Sequence, residues 1–226
     1  AVTEIQPEDP EIRFDDNAVL HFDDLVLATG SRNRQLNVPG ADGPGVCYLR
    51  TAEDAAVLAH HLEDIGTVVV VGVGFIGLEF AAAAEHRGIE VTVVEYGQRP
   101  MARVLSEQTT THVLEMHRAS GIDFLFGASV TGILRGERGV EAVVVNGQEL
   151  PTDLVVVGIG AEPVVDLAAA ASISTADGFI VDEYLRTEDE HIWAIGDCAR
   201  FPCAYTGGRV RRQAVQNAND QARALA

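Results

Sequence analysis

The chain has 226 residues, of which 47% are hydrophobic, and a formal net charge of −18. This length fits one large domain or two small ones, and the hydrophobic fraction is ample for a packed core. The acidic balance argues against nucleic acid or an anionic membrane as the main partner. No apolar stretch reaches about 20 residues, and no charged-then-apolar signal peptide is present, so no membrane association is predicted.

The cysteines indicate the redox state of the protein. Cys47, Cys198 and Cys203 are three in number and follow no framework pattern. This favours reduced thiols and predicts a cytoplasmic protein. Cys198 and Cys203 lack the CxxC spacing of a redox pair, and no compact group of cysteines and histidines has metal-ligand spacing. We therefore predict no metal site.

The first 65 residues combine strands, a loop and a helix. Residues 1–30 have the alternation of short strands, and the last of these strands, LVLATG at 25–30, ends in small residues. A loop with Pro-Gly and Gly-Pro pairs follows over 31–44. Thr51 and Asp54 have the spacing of a capping box, which predicts a helix from there to about Glu63.

Residues 68–95, VVVVGVGFIGLEFAAAAEHRGIEVTVVE, are the most informative stretch. The valine run predicts a parallel strand buried on both faces. Gly72 allows a tight turn, Gly74 leaves room for a pyrophosphate, and Gly77 lets the next helix pack closely. The N terminus of that helix attracts phosphates, and Glu95 at the next strand end can accept both adenosine ribose hydroxyls. The pattern predicts an NADH site; the alternative is a glycine-rich turn without a cofactor.

The remaining elements complete an α/β pattern. A helix over 105–120 with Ser106 as its N-cap leads to a strand at 122–126. A β meander over 129–150 precedes the last parallel strand at 153–157. The final third is predicted as helix 163–171, strand 178–181, strand 192–198 ending in a Gly-Asp corner, and helix 209–225.

Three motifs in this order resemble the two-dinucleotide flavoproteins of the pyridine nucleotide-disulfide oxidoreductase superfamily. They are LVLATG at 25–30, GVGFIG with Glu95, and AIGDC at 194–198. The segments YLRTAEDAAVL at 48–58 and VRRQAVQNANDQARALA at 210–226 more narrowly resemble the ferredoxin, putidaredoxin and rubredoxin reductase branch.

The resemblance implies an α/β fold with a Rossmann-like, three-layer NAD-binding domain inserted into an FAD-binding domain. It predicts partial FAD-binding segments at 1–53 and 174–226, and the NAD(H)-binding domain at 54–173. The family's N-terminal glycine motif for the FAD pyrophosphate and its C-terminal domain have no counterpart in this sequence. The FAD-binding domain is therefore expected to be incomplete here, as in the middle of a longer protein.

The activity implied by the resemblance is that NADH reduces FAD, which a ferredoxin-type iron–sulfur protein reoxidises, in an oxygenase or cytochrome P450 chain. Hydride transfer is the chemistry of the cofactors, so no catalytic side chain is predicted. Two alternatives stay open. One is an NADH oxidase or CoA-disulfide reductase-type flavoenzyme, and the other is a non-catalytic NAD-binding fragment unable to retain FAD.

The predicted contacts divide between the two cofactors. The NAD contacts, taken from the motif, from the strand end at 158–160 and from the resemblance, are Gly72, Gly74, Phe75, Ile76, Gly77, Glu79, Glu95, Arg103, Gly158 and Gly160. The FAD contacts implied by the resemblance are Val2, Thr29, Gly30, Arg50, Asp197 and Val215. Three alternatives remain. Arg99 or Arg103 attracts the extra phosphate of NADPH, Glu79 is only an acid favoured in the first turn by the helix dipole, and Asp197 only forms an Asx turn.

Overall fold

The computed structural model describes residues 1–101, 104–137, 139–168 and 171–226. They form two compact units, Ala1–Arg32 with Ala161–Ala226, and Asn33–Gly160. We call these the split unit and the central unit. Their boundaries differ from the predicted divisions at 53/54 and 173/174, and the assignment of each unit to a cofactor stays a prediction.

The split unit begins with short strands, β1 (Val2–Gln6), β2 (Glu11–Phe14), β3 (Val19–His21), β4 (Leu25–Leu27) and, at the boundary, β5 (Ser31–Asn33). The first three form an antiparallel sheet in which Ile5 pairs with Ile12. Ile5 and Leu27 are buried in the core of this unit, because alternate strand residues face the same side.

The central unit contains the helices and strands of the predicted dinucleotide domain. In chain order they are β6 (Val46–Tyr48), α1 (Ala52–His61), β7 (Thr67–Val71), α2 (Phe75–Glu85), β8 (Glu90–Glu95), α3 (Glu107–Ala119), β9 (Asp123–Phe126), β10 (Val130–Gly136), β11 (Gly139–Val145), β12 (Gln148–Pro151) and β13 (Leu154–Val157). Strands in the order β6-β13-β7-β8-β9 form a parallel five-stranded sheet, and β10-β11-β12 form an antiparallel meander.

The predicted three-layer α/β arrangement is confirmed in this unit. Val68 and Val70 of β7 face the helices and pack in one cluster with residues such as Leu78. Val69 and Val71 face the opposite side and pack in another cluster with meander residues such as Val143. The valine run is therefore buried on both faces because each face of the sheet is covered.

Local sequence signals place the helix ends. Thr51 accepts a hydrogen bond from the Asp54 N–H (3.1 Å) while the Asp54 carboxylate accepts one from the Thr51 N–H (2.8 Å), so the predicted capping box is confirmed. Ser106 caps α3 by accepting from the Thr109 N–H (3.2 Å), also as predicted.

The second segment of the split unit departs from two predictions. Its elements are β14 (Ala161–Pro163), a 3₁₀ turn (Asp166–Ala168), β15 (Thr175–Ala176), β16 (Gly178–Ile180), β17 (Ile192–Ala194), a 3₁₀ turn (Gly196–Cys198), β18 (Ala199–Cys203), β19 (Gly208–Val210) and α4 (Val215–Leu225). The prediction of a helix over 163–171 is wrong, since its described residues include the end of β14 and only one 3₁₀ turn. The helix predicted from 209 begins at Val215, since β19 pairs with β18 first.

Asp153 joins the starts of the two central strands, β7 and β13. Its Oδ2 accepts hydrogen bonds from the Gly66 N–H, the Thr67 N–H and the Thr67 hydroxyl, each at 2.9 Å. Partial desolvation tends to raise the pKa of this carboxyl, but the bonds from Gly66 and Thr67 outweigh it, so the pKa is lowered. The ionised form is therefore favoured in the folded chain.

Replacing Asp153 with alanine is expected to lower the free energy of unfolding by about 1 kcal/mol at neutral pH. The folded pKa lies below the unfolded value of about 3.9, so this contribution is present above that pH and is lost as the pH falls through the folded pKa. Urea unfolding of wild type and Asp153→Ala between pH 7 and 3 measures it, with Asp123→Ala at the exposed start of β9 as the control. A difference that does not shrink towards acid contradicts this role.

Candidate dinucleotide site

The central unit contains a cavity of about 660 Å³ at the carboxyl ends of β7, β8 and β13. Ligands of open parallel sheets bind at this end. The lining residues are Leu36, Val71, Gly72, Val73, Gly74, Phe75, Val94, Glu95, Tyr96, Gly97, Arg99, Met101, Val104, Ala128, Ser129, Val130, Gly158, Ile159 and Gly160. Most of the predicted NAD contacts are therefore brought together.

Two motif glycines are required by the packing of the chain itself. Gly72 has φ +101°, and a Cβ there would lie 2.5 Å from the carbonyl oxygen of Gly158. A Cβ on Gly77 would lie 2.4 Å from the carbonyl oxygen of Gly72. The predicted tight turn and close helix packing are confirmed, since no side chain fits at either position.

Gly74 differs from these two glycines. Its φ of −94° is a backbone angle that any residue can adopt. The nearest atom to a Cβ at this position would be the Gly158 carbonyl oxygen, at 3.9 Å. Gly74 is also the N-cap of α2 and makes no side-chain cap, so no capping side chain occupies the N–H groups of the first turn. The missing side chain leaves the helix N terminus open to a ligand in the cavity.

Glu95 links the two loops that border the cavity. Its Oε2 accepts from the Val73 N–H (2.9 Å) in the glycine turn, and its Oε1 accepts from the Gly97 N–H (2.7 Å) after β8. A carboxylate has about four acceptor positions, so each oxygen can accept one more hydrogen bond. Glu95 is thus held in place and still able to accept hydroxyl groups.

Arg99 also lines the cavity, and its Nη1 is directed to α3. It donates to the Leu105 carbonyl oxygen at 3.2 Å and to the Thr110 hydroxyl at 3.3 Å. Arg103 lies outside the described residues, so its predicted contact stays a prediction.

In the split unit, Asp197 occupies the 3₁₀ turn after β17. Its Oδ2 accepts from the Ser31 hydroxyl at 2.8 Å, and Gly196 donates its N–H to the Gln221 side chain at 2.7 Å. Thr29 donates its hydroxyl to the Val164 carbonyl at 2.6 Å, and Gly30 has φ +72°. The structure thus brings the ATG strand end beside the Gly-Asp corner through Ser31, a residue that the sequence did not single out.

The family described as pyridine nucleotide-disulphide oxidoreductase matches residues 1–222. The chain belongs to this family. Rhodocoxin reductase of Rhodococcus erythropolis is 45% identical over 226 residues, which are 100% of this chain and 53% of that protein. Putidaredoxin reductase CamA of Pseudomonas putida is 38% identical over 231 residues, covering 100% of this chain and 55% of that protein.

Solved structures of related oxidoreductases have the same fold. The ferredoxin reductase for the CYP199A2 system of Rhodopseudomonas palustris has a TM-score of 0.96 and 45% identity, over 99% of this chain and 56% of that one. The reductase in the covalent putidaredoxin reductase–putidaredoxin complex has a TM-score of 0.94 and 36% identity, over 99% and 55%. The prediction that this chain is a ferredoxin-reductase-like member of the family is confirmed. The chain spans about half the length of the relatives it matches.

Several predicted contacts are not among the residues that line this cavity. Phe75 lines the cavity and is 56% exposed, whereas Ile76 and Glu79 are exposed on α2 and are absent from the described lining. Val2 lies in β1 and Val215 begins α4, both in the split unit. Arg50 lies in the central unit, not in the unit of the other predicted FAD contacts.

Residues after β8 and before β10 are the main part of the cavity that the sequence did not reveal. Gly97, Met101 and Ser129 belong to no recognisable motif, and the fold alone brings them to the carboxyl end of the sheet. The described residues contain no group of histidines, cysteines or acids placed to hold a metal ion, and no helix long and apolar enough to cross a membrane. All three cysteines are free thiols.

Proposed function

We propose that the whole protein is an NADH-dependent FAD reductase that passes electrons to a ferredoxin-type iron–sulfur protein, and that the central unit binds the NADH. The observation that carries this proposal is the cavity between Gly74 and Glu95, with an open helix N terminus on one side and a fixed carboxylate on the other. The names of the related reductases for rhodocoxin and putidaredoxin support the choice of acceptor.

The residues of the central unit fit a dinucleotide. The turn at Gly72 and the first N–H groups of α2 would hold the pyrophosphate, since both the open N–H groups and the helix dipole favour negative charge. Glu95 would accept the hydroxyls of the adenosine ribose, and its charge would disfavour a 2′-phosphate. When both cofactors are bound, the nicotinamide supplies a hydride and the flavin accepts it and releases electrons singly.

The split unit fits part of an FAD site. The Asp197 carboxylate accepts from the Ser31 hydroxyl at 2.8 Å, and a carboxylate is the type of acceptor that a ribityl hydroxyl requires. Thr29, Gly30 and Val215 are proposed as neighbouring contacts in this unit. We propose that the split unit belongs to the FAD-binding domain, and the three free thiols support the proposed cytoplasmic location.

The coenzyme part of the proposal is tested by titrating the chain with NADH and NADPH in a calorimeter. We expect saturable one-site binding, with NADH bound at least about tenfold more tightly. No NADH binding would remove the central observation. Equal affinity for NADPH would instead assign the arginine-rich segment after Glu95 to a 2′-phosphate.

The electron-transfer part needs the FAD-loaded full-length protein. We expect NADH to drive reduction of a [2Fe–2S] ferredoxin faster than it drives oxygen consumption. The reverse result favours the oxidase alternative. NADH binding by the 226-residue chain without retention of FAD favours the alternative of a non-catalytic NAD-binding fragment.

A further inference from the structure

The segment between β8 and α3, described over residues 96–101 and 104–106, forms one wall of the cavity. The residues that it contributes to the lining are Tyr96, Gly97, Arg99, Met101 and Val104. Its first part is held by Gly97, which donates to Glu95 at 2.7 Å and accepts from the Gly127 N–H at 3.0 Å. The other described residues of the segment, 98–101 and 104–106, belong to no helix or strand. They are held by a few backbone bonds, such as the one from the Leu105 N–H to the Met101 carbonyl at 3.1 Å, and by side-chain contacts.

Arg99 supplies such a contact. Its Nη1 donates to the Leu105 carbonyl (3.2 Å), at the end of the segment, and to the Thr110 hydroxyl (3.3 Å), inside α3. The Met101 N–H donates to the Val73 carbonyl at 3.3 Å, which joins the same segment to the glycine turn. Arg99 therefore fixes the cavity wall to a helix that does not itself line the cavity.

Thr110 is an unusual residue for its position. It is 2% exposed and is the one residue of α3 that is fully buried, and all of α3 lies within the described residues. A buried hydroxyl costs free energy unless it is hydrogen-bonded, and valine has nearly the same shape without that cost. Packing alone therefore does not explain a threonine here, whereas an acceptor for Arg99 does.

We propose that Arg99 and Thr110 form a positioning pair that sets the affinity of the site for the adenosine half of NADH. This inference rests on the proposed NADH site. Neither residue takes part in the chemistry; the pair acts by holding the wall that follows Glu95. Thr110 is the better residue to change, because it is uncharged and lies outside the cavity lining, so its loss does not alter the charge that a phosphate meets.

The experiment measures dissociation constants of NADH and ADP-ribose by calorimetry, well below the melting temperature of each variant. Thr110→Val is expected to weaken both ligands by the same factor, about tenfold. Thr110→Ser keeps the hydroxyl and should bind both ligands with the affinity of wild type. Thr111→Val makes the same chemical change on the exposed face of α3 and should bind as wild type does.

A coupling measurement separates positioning from stability. Because the two residues act as one contact, Arg99→Lys with Thr110→Val should bind no more weakly than the weaker of the two single variants. If Thr110→Val melts at a lower temperature but binds with unchanged affinity, the pair is only structural and the inference is wrong. If the effects of the two substitutions add, the pair does not act as a unit and the inference is also wrong. If unsubstituted chain fails to bind NADH and ADP-ribose, the proposed function fails together with it.

Discussion

Replacing Gly77 with alanine is expected to lower the free energy of unfolding by about 3 kcal/mol or more, the upper range for overpacking a fixed core. The new Cβ would lie 2.4 Å from the Gly72 carbonyl oxygen, a backbone atom in the turn out of β7. The helix must move away from the strand to admit it, and Leu78 and Ala81 of the core would move with it. Denaturant unfolding followed by circular dichroism measures the loss.

Gly74→Ala is the matched control, because the same methyl group is added three residues earlier, at the N-cap of the same helix. With no protein atom closer than 3.9 Å to that Cβ, its cost to stability should stay below about 1 kcal/mol. NADH affinity should nevertheless fall, since the methyl group projects where the pyrophosphate is proposed to approach. Unchanged NADH binding by Gly74→Ala would place the pyrophosphate elsewhere, and a stable Gly77→Ala would contradict the close packing.

The second large effect is expected for Glu95→Ala. Hydrogen bonds to a charged group contribute about 1.5–3 kcal/mol, so losing the proposed ribose contacts should weaken NADH binding by about 10- to 100-fold. NADPH should be affected much less, because removing the carboxylate also removes its repulsion of the 2′-phosphate. The ratio of the two dissociation constants, measured by calorimetry, is the informative quantity.

The ratio is needed because Glu95 also supports the site. The carboxylate accepts from Val73 and Gly97, and losing both bonds disturbs the loops for either coenzyme. Glu95→Gln is the control, since it keeps one acceptor oxygen and the side-chain length but removes the charge. Glu95→Gln should bring the dissociation constants of NADH and NADPH closer together, and it should lower stability less than Glu95→Ala does. A ratio that neither variant changes would remove Glu95 from coenzyme selection.

The sequence predicts the central unit well because its signals are local. The capping box at Thr51, the cap at Ser106 and the glycine turn at Gly72 all act within a few residues of themselves. The valine run identifies a strand covered on both faces, and the structure has the helices on one face and the meander on the other. For such elements local preference and tertiary packing agree.

The errors lie where distant contacts override helix propensity. The alanine- and valine-rich residues 163–171 look helical, but the Val164 N–H donates to the Gly30 carbonyl. Just before them, the Ala161 carbonyl accepts from Arg211 and Gln213. Residues before Val215 likewise enter a hairpin with β18 in place of a longer helix. No local sequence pattern predicts these long-range hydrogen-bond partners.

The candidate site shows the same division. Gly72, Gly74, Gly77 and Glu95 are recognisable because their spacing is fixed by a turn, a helix and one strand. The bond between Ser31 and Asp197 joins residues 166 positions apart, so only the folded chain brings them together. The buried Thr110 hydroxyl is explained by its contact with Arg99. Arg99 lies in no helix or strand, so no periodicity in the sequence predicts this contact.

The position of β13 in the sheet affects how the central unit is assembled. It lies between β6 and β7, although α2, β8, α3, β9 and the meander all separate it from β7 along the chain. Contacts at its start join residues 86 positions apart, as between Asp153 and Thr67. Ladders of such high sequence separation cost loop-closure entropy before they are stabilised by packing, so they slow folding. β13, whose carboxyl end borders the cavity, is thus the last strand of this sheet to be synthesised, and the cavity cannot form before this strand is in place.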